Sequence, residues 1–552
     1  MPSQKWIKKL IQYICQNDSM IASVSEDPHP REQRELKRSQ LYREQRGIQL
    51  ARAALVGLGA GVMAVLYQFA VSKVSAFSVH SGEVALHWPI LGKVAFIISM
   101  GVVGSLAAYL IGRFAPESGG SGIPQIKASL LHLKEIRPIP LVAAKFAGGL
   151  AALVTGMSFG REGPTVQIGA SVGKFVGEAL NVPKRNRDSL IAAGAGAGLA
   201  AAFNAPLAGF LFVMEELKRE MSAITYGSAL IASVCAVAVT RYTLGQKPSF
   251  QLVSPGGAPL SILPQVAVLG VLAGVAGVLF NKTLMLGLNL RQRLKVARWQ
   301  WGLAAGILSG AALIFCPSIT GGGHSLAESI LSGHFSASDL LLTATLIFFG
   351  KLILTSASYG TGLPGGIFAP ILAMGATLGL AYGTLVHEVF PGTAFTSAGF
   401  ATLGMASMLA GSVRAPLTGV VLIVEMTSEY NLLYALLVAA FAADLVAERL
   451  RDHPIYEALM ERDLRLNGLH VEPNSEPILI EVLIEPHSHM DGKQIKNLRL
   501  PVGVILFAIE RGPSHMVPNG QTILRAGDMV TMMVAGDKPE LSLFVHEAAR
   551  AP

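Results

Sequence analysis

A carboxylate lies between glycines in the segment GREGP, where Glu162 follows Gly160 and Arg161 and precedes Gly163 and Pro164. A glycine turn followed by proline is typical of a helix start, because glycine allows close backbone approach and proline fits the first turn. The free amides and the positive dipole end of such a helix attract anions. A carboxylate and a free anion would compete for these amides, and protonation would weaken the carboxylate. Glu162 therefore indicates chemistry with anions and protons.

Two other segments have the same pattern of glycine turn and proline before an apolar stretch. They are GGSGIP, from Gly119 to Pro124, and GGIFAP, from Gly365 to Pro370. Three helix N-termini that converge would bind an anion through partial charges, without a full buried cation. Such binding is of moderate strength, which suits an ion that must be released again.

The composition places these segments in a membrane, since 51% of the 552 residues are hydrophobic, 14% are charged and the mean hydropathy is +0.49. These values lie outside the usage of soluble globular domains. Shorter apolar pieces broken by Gly and Pro predict broken or re-entrant helices, which are tolerated where protein or a water-filled cavity covers their ends. Stretches long enough to span a bilayer occur at about 51–77, 90–113, 140–158, 222–243, 264–290, 338–359 and 431–449.

The charge distribution predicts the orientation. The first fifty or so residues lack the apolar core of a secretory signal, and seven Lys or Arg against three Glu occur between Arg31 and Arg52, beside the first span. Both features predict a cytoplasmic N-terminus, and we expect the C-terminus to be cytoplasmic as well. The net charge of +8 comes from basic residues that flank spans, so nucleic-acid binding is not expected.

Neither a metal site nor a cofactor site is predicted. The cysteines Cys15, Cys235 and Cys316 have no CxxC spacing, and histidines such as His487 and His489 have no further ligands at suitable spacing. The run GAGAGLA, from Gly194 to Ala200, lies inside a small-residue apolar stretch and follows no strand. It predicts close helix packing rather than dinucleotide binding.

The chain also resembles itself. The segment FNAPLAGFLFVMEE, from Phe203 to Glu216, resembles VRAPLTGVVLIVEM at an offset of 210 residues. A repeat of this kind commonly places a binding site near the bilayer midplane, at the interface of its halves. An offset of 206 residues aligns Lys145 with Lys351, Thr155 with Thr361, Gly156 with Gly362, Gly160 with Gly366, Pro164 with Pro370, Gly169 with Gly375, Ala170 with Ala376 and Gly173 with Gly379.

GSGIP, GREGP and GGIFAP, followed by HPIYEALM around Tyr456, resemble the signature segments of the CLC chloride channel and transporter family. The resemblance covers roughly residues 50–465. It implies an all-α polytopic membrane fold of many tilted and broken helices in two inverted-topology repeats, at about 51–245 and 262–465. It also implies a homodimer in the lipid bilayer of a prokaryotic cell membrane, in which each subunit has its own anion pore.

The resemblance implies a role for each motif residue. Glu162 is similar to the family's gating and external proton glutamate, and Glu216 to its internal proton glutamate. Ser121, in place of proline, implies chloride rather than nitrate, and the GREGP and GGIFAP forms differ from the fluoride-exporting branch. The anion-binding residues implied by the family are Ser121, Gly122, Ile123, Ile367, Phe368 and Tyr456.

The favoured function is secondary active transport of chloride in exchange for protons, because channels of the family usually lack the internal glutamate. The alternative is a passive voltage- or pH-gated chloride channel gated by Glu162, in which Glu215 and Glu216 merely cap a helix end beside Lys218 and Arg219. A membrane enzyme using Glu162, Glu215 and Glu425 would need a nucleophile, metal set or cofactor motif that the sequence lacks. We therefore do not expect an enzyme.

Two positions depart from the bacterial pattern. Gln125 and Lys127 stand where well-known bacterial exchangers have acidic residues, one of which pairs with a lysine that matches Lys145. A positive charge at Lys127 would lower the proton affinity of Glu216 and alter coupling, whereas a solvated Lys127 would have no effect.

The composition changes after Tyr456. Residues 466–477 form a charged, proline-bearing linker, and residues 478–552 contain PILIEVLIE, GVILFAIER and DMVTMMVAG, which predict strands from their Val and Ile content. This part resembles the TrkA-C or RCK-C regulatory domain of potassium-transport proteins, a small α/β domain. Three roles are open for this domain, which are to bind a small ligand, to mediate dimer contacts or merely to stabilise the subunit.

Overall fold

The computed structural model describes most of the chain in two compact units, divided between Met460 and Glu461. Side chains are described from Arg46 onwards. The N-terminal residues 1–30, including Cys15, and most of the predicted linker lie outside the described part. The described residues are 31–218, 223–246, 248–252, 257–337, 339–393, 395–468, 478–498, 500–512, 514–534 and 539–549.

The first unit is helical. Proline is favoured in the first helical turn, and it is the first or second residue of several helices. The helices of the first half are α1 (Arg31–Leu86), α2 (Ile90–Phe114), α3 (Ile123–Leu130), α4 (Pro138–Val154), α5 (Glu162–Ala179), α6 (Lys184–Phe203), α7 (Pro206–Phe212) and α8 (Ala223–Leu244), with a π-helical segment at Val213–Lys218.

The second half repeats this mixture of long and short helices. Its helices are α9 (Leu263–Arg293), α10 (Arg298–Phe315), α11 (His324–Leu331), α12 (Leu340–Gly360), α13 (Phe368–Val389), α14 (Ser397–Val413), α15 (Pro416–Thr427), α16 (Leu433–Arg449) and α17 (Ile455–Leu466).

Seven helical stretches of the described chain are long and apolar enough to span a membrane. Six coincide with predicted spans. The predicted span at 140–158 is wrong, because α4 has 17 residues and is too short for a perpendicular crossing. A span that the sequence does not predict is Phe368–Val389, and 72% of its apolar window is buried within the protein. This helix therefore belongs to the core rather than to the lipid-facing surface.

Small residues let the helices pack closely, as the GAGAGLA run predicts. A Cβ atom on Gly169 would overlap the carbonyl oxygen of Gly194, and one on Gly194 would overlap that of Gly169. Gly375 and Gly404 have the same mutual relation between α13 and α14. The backbones of α5 and α6, and of α13 and α14, thus touch directly, which fixes the helices that carry the site.

One local structure occurs twice. The 3₁₀ helix Pro116–Ser118 leads into a turn at Gly122, which has a left-handed φ of 93° and caps the eight-residue helix α3. In the second half, the 3₁₀ helix Pro317–Ile319 leads to Gly323, with a φ of 79°, at the start of the eight-residue helix α11. Two short helices therefore begin at glycine turns inside the protein.

The second unit contains a four-stranded antiparallel sheet in the order β1-β4-β2-β3. The three predicted strands are confirmed, whereas β3 is too short for an alternating sequence pattern. Ile480, Ile509 and Val530 point into a core that is closed by the helix α18. The elements are β1 (Ile478–Leu483), β2 (Val504–Arg511), β3 (Ser514–Met516), β4 (Met529–Val534) and α18 (Pro539–Ala549).

An ion pair joins β2 to the turn before β4. The Nε and Nη2 atoms of Arg511 each donate to the Asp528 carboxylate at 2.7 Å. The hydrogen bond from Arg511 lowers the pKa of Asp528 below its usual value. A lowered folded-state pKa stabilises the domain above the unfolded pKa of about 4, and this contribution is lost as the pH falls through the folded value.

Asp528→Asn is therefore expected to loosen the second unit at neutral pH and to reduce its loss of stability in acid. We expect hydrogen exchange of the β4 amides in the full chain to rise about tenfold, which corresponds to the loss of one charge-assisted hydrogen bond. Glu481→Gln, on the exposed side of β1, is the matched control. Unchanged exchange in Asp528→Asn would show that the pair has no stabilising role.

Candidate ion-binding site

Two of the glycine turns meet through a small ladder. Gly160 N donates to Gly366 O at 2.8 Å, and Gly366 N donates to Gly160 O at 2.9 Å. The N-termini of α5 and α13, which follow these glycines, are thereby brought together. Their free first-turn amides form a shared region that favours negative charge.

Glu162 is the first residue of α5 and is 4% exposed. Backbone amides of Glu162 itself and of Ala369, in the first turn of α13, hydrogen-bond its carboxylate. Its Oε2 atom has no hydrogen-bond partner among the described residues, and Arg161 Nε lies 4.0 Å from its Oε1. The carboxylate thus occupies an anion position between two helix N-termini, as the competition argument predicts.

A cavity of about 260 Å³ adjoins this carboxylate. Arg161, His324 and the glycine turn before α11 line it together with Glu162. The ring of His324 stacks on Phe250 at a centroid distance of 4.6 Å. Glu162 therefore lies at the wall of a cavity, which gives its side chain space to move.

Ser121 lies in the turn before α3 and is fully buried. Its hydroxyl oxygen accepts from Ile123 N at 3.2 Å, so its own O–H remains available as a donor. Its amide donates to the Tyr359 hydroxyl at 3.3 Å. The neighbouring Gly122 has no room for a side chain, because a Cβ atom there would overlap Gln167.

Buried lysines hold the two glycine turns that precede the short helices. Lys145 Nζ donates to Gly120 O at 2.8 Å, and Lys351 Nζ donates to Gly321 O at 3.0 Å. Both lysines are fully buried. They aligned in the internal repeat, and they stabilise equivalent turns before α3 and α11. Lys145 binds a carbonyl here, instead of the acidic side chain that the family pattern would place beside it.

Tyr456, at the start of α17, is also fully buried, and its hydroxyl has no hydrogen-bond partner among the described residues. Because a buried hydroxyl without a partner is costly, this donor indicates a position for an anion. Sequence reasoning missed Tyr359, whose only signal was its place two residues before the aligned Thr361.

The other predicted anion-binding residues lie at the start of α13. Ile367 precedes the helix, Phe368 is its first residue, and they are 0% and 1% exposed. The ring of Phe368 contacts that of Phe203 at a centroid distance of 5.4 Å. These packed apolar side chains exclude water around the amides of this helix N-terminus, which strengthens their interaction with charge.

Glu216 lies in the π-helical segment and is fully buried. Lys127 Nζ contacts its Oε1 at 2.8 Å and the Oε1 of Glu457 at 3.5 Å. Lys127 is 7% exposed, so the alternative of a solvated Lys127 is wrong. The departure from the family pattern at this position therefore places a cation directly on the internal glutamate.

Glu215 points elsewhere, and it forms one half of a reciprocal arrangement. Its carboxylate accepts from Leu417 N and Thr418 N at 3.1 and 2.7 Å, at the start of α15. Glu425, at the end of α15, accepts from Leu207 N and Ala208 N at 3.1 and 2.9 Å, at the start of α7. Each carboxylate thus caps a helix of the other half, so Glu215 and Glu216 do more than cap the end of their own helix.

Glu425→Ala is expected to lower the free energy of unfolding by about 1–2 kcal/mol, the usual cost of losing an N-terminal cap. The measurement is the midpoint of thermal unfolding in detergent. Glu215→Ala should have a larger effect, because the Thr418 hydroxyl also donates to Glu215. Glu388→Ala, which removes an exposed carboxylate at the end of α13, is the control, and an equal shift in it would contradict the capping role.

Comparison with known proteins agrees with this architecture. Residues 103–448 match the family described as voltage gated chloride channel, and residues 479–540 match the TrkA-C domain. The H(+)/Cl(-) exchange transporter ClcA of Vibrio campbellii is 37% identical over 433 residues, which cover 76% of this chain and 90% of that protein. The ClcA of Klebsiella pneumoniae is 36% identical over 423 residues, which cover 75% and 89%.

A solved structure has the same fold. The crystal structure of a slow cyanobacterial Cl-/H+ antiporter superposes with a TM-score of 0.71 and 35% identity, over 76% of this chain and 99% of that chain. The chain belongs to the CLC family of chloride channels and transporters and carries a C-terminal TrkA-C domain. It is a multi-pass membrane protein, and its family excludes the enzyme alternative.

Proposed function

We propose that this protein exchanges chloride for protons across the membrane. The observation that carries the proposal is the presence of two buried carboxylates, Glu162 and Glu216, on separate elements of the chain. An exchanger needs a proton carrier on each side of its anion site, whereas a passive channel gated by Glu162 has no need of Glu216. The exchangers of Vibrio and Klebsiella, and the cyanobacterial antiporter, carry this activity in their names.

In this proposal, chloride binds between the hydroxyls of Ser121 and Tyr456. The Ser121 O–H and the unpartnered Tyr456 O–H supply two donors. Amides at the starts of α3 and α13 supply the remainder, from Gly122 and Ile123 on one side and Ile367 and Phe368 on the other. Neutral donors bind chloride moderately, so it can leave again.

Glu162 is the gate and the outer proton carrier, and Glu216 is the inner proton carrier. When ionised, Glu162 occupies the amides of α5 and α13 and excludes chloride. When protonated, it loses most of its attraction to these amides, so chloride replaces it. Glu216 exchanges protons with the other side of the membrane through a route that is separate from the anion path.

Proteoliposomes that contain the protein and a high internal chloride concentration test the proposal. With the membrane potential clamped by potassium and valinomycin, outward chloride flow should draw protons inward, so that the external pH rises. Addition of a proton uncoupler should abolish this rise and serves as the control. Chloride flow without any change in external pH would favour the passive channel gated by Glu162.

The remaining assignments extend this proposal. We propose a homodimer whose interface includes the apolar side chains of Leu207 and Leu417, which are 47% and 44% exposed on α7 and α15. The N-terminus is assigned to the cytoplasm because the basic run from Arg31 to Arg52 forms the start of α1, and the C-terminus is assigned to the same side. Residues 51–465 are assigned to transport and residues 478–552 to regulation. That the C-terminal domain binds a small ligand stays a prediction.

A further inference from the structure

A second cavity lies apart from the ion-binding site. It measures about 560 Å³ and opens between the end of α3, the loop that follows it, the end of α5 and the start of α6. This volume falls in the range of small-molecule sites, about 300–1,000 Å³. Its lining residues are Ser129, His132, Lys134, Glu135, Lys174, Lys184, Arg187, Asp188 and Ile191.

The lining has an excess of positive charge. Four cations, Lys134, Lys174, Lys184 and Arg187, face two carboxylates, and one of these, Asp188, pairs with His132 at 3.4 Å. Glu178, beside the cavity, lies 3.6 Å from both Lys174 and Arg187 and neutralises part of their charge. The remaining charge is positive, and the amides at the start of α6 add the positive end of a helix dipole.

One donor in this cavity has no acceptor. The Nε atom of Arg187 is buried and makes no hydrogen bond with any described residue. A guanidinium group suits the oxygen atoms of a phosphate, because its donors form a fixed fork. The cavity therefore has both the net charge and, in Arg187, a guanidinium group that suits a phosphate.

Exposed apolar side chains are close in the sequence to the lining residues. Leu131 and Leu133 flank His132 and are 48% and 37% exposed, and Phe175, next to Lys174, is 51% exposed. Ile139, at the start of α4, is 72% exposed. A basic cavity on segments that also expose apolar side chains matches a lipid, whose phosphate is charged and whose chains are apolar.

The cavity lies close to the first apolar residues of α1, which the proposed orientation assigns to the cytoplasmic side. Gln49 Nε2, at the start of the apolar span Arg46–Leu86, donates to the Asn186 carbonyl in the first turn of α6 at 3.0 Å. The cytoplasmic leaflet carries the anionic lipids, and basic pockets between helices on that side bind their headgroups. The position of the cavity and the charge of its lining residues therefore both fit an anionic lipid headgroup.

We infer that this cavity binds a phosphate group, carried by the headgroup of an anionic phospholipid. The ligand would contact Ser129 at the end of α3, the helix that follows the turn containing Ser121. Because α3 has eight residues, the two positions are roughly 10 Å apart along its axis. The inference does not depend on proton exchange, and it makes the lipid composition a determinant of the stability of this helix.

The test uses the full-length protein in a neutral detergent. Phosphatidylglycerol is titrated in while the midpoint of thermal unfolding is followed, and a parallel titration uses soluble inorganic pyrophosphate. The variant is Lys134→Gln/Lys184→Gln, since Lys184 is exposed and Lys134 half-buried. The control is Arg293→Gln/Lys295→Gln, which removes the same charge from exposed positions at the end of α9 and just beyond it.

Phosphatidylglycerol should raise the unfolding midpoint of the native protein and of the control. The lipid concentration that gives half of this rise should be about twenty-five-fold higher in the cavity variant, because each basic residue contributes about fivefold to binding an anionic surface. A rise with pyrophosphate instead would support the phosphate site but overturn the lipid as its source. Equal behaviour of the variant and the control, or no rise with either probe, would overturn the inference.

Discussion

Glu162→Gln is expected to stop proton movement while chloride movement continues. Glutamine has nearly the same shape as glutamate but cannot carry a proton, and it has no charge with which to compete for the amides of α5 and α13. Loss of a positioned proton carrier commonly slows proton transfer about a hundredfold or more. Chloride flux, no longer opposed by a carboxylate, should persist and should become independent of external pH.

The measurement is the rate of chloride release and of external alkalinisation from the same proteoliposomes. Glu388→Gln, which changes an exposed carboxylate at the far end of α13, should behave like the native protein. If Glu162→Gln still moved protons against their gradient at the native ratio to chloride, Glu162 would not be the outer proton carrier. Loss of both the chloride flux and the proton flux in a normally folded variant would contradict the role of Glu162 as the gate.

Lys127→Met is expected to shift the dependence of proton flux on internal pH towards higher pH. The ammonium group lies 2.8 Å from the Glu216 carboxylate inside the protein, and an opposite charge at this distance favours the ionised form. Without it, the buried carboxylate of Glu216 would lose this counter-charge, and breaking a buried ion pair costs about 3–5 kcal/mol. The carboxylate would therefore bind protons more readily, and the curve should move by at least about one pH unit.

Glu457→Gln supplies the opposite change at the same cluster. Glu457 lies 3.5 Å from Lys127 Nζ, and its neutralisation leaves the ammonium group to act on Glu216 alone. The internal pH curve should then move towards lower pH. Lys127→Gln keeps a hydrogen-bond donor and serves as the second variant if Lys127→Met unfolds. Curves that moved in the same direction in Lys127→Met and Glu457→Gln would contradict electrostatic control and would indicate a structural role.

The sequence by itself determined the class of the protein and the location of its helix starts. Hydrophobic length decided the membrane setting, because the bilayer requires apolar helices of a fixed length. The turns around Ser121 and Glu162 could be recognised in the sequence, because glycine and proline have backbone requirements that depend on local chain geometry alone. The predicted span at 140–158 was wrong because hydropathy does not distinguish a short helix within the protein from a helix that crosses the membrane.

Only the tertiary structure decided which side chains meet. Lys127 and Glu216 lie on different elements, as do Ser121 and Tyr359, and no local pattern joins them. The reciprocal caps of Glu215 and Glu425 also depend on how the two halves pack. These contacts arise because close glycine packing fixes the positions of helices that are distant along the chain, and a charge acts through space rather than along the sequence.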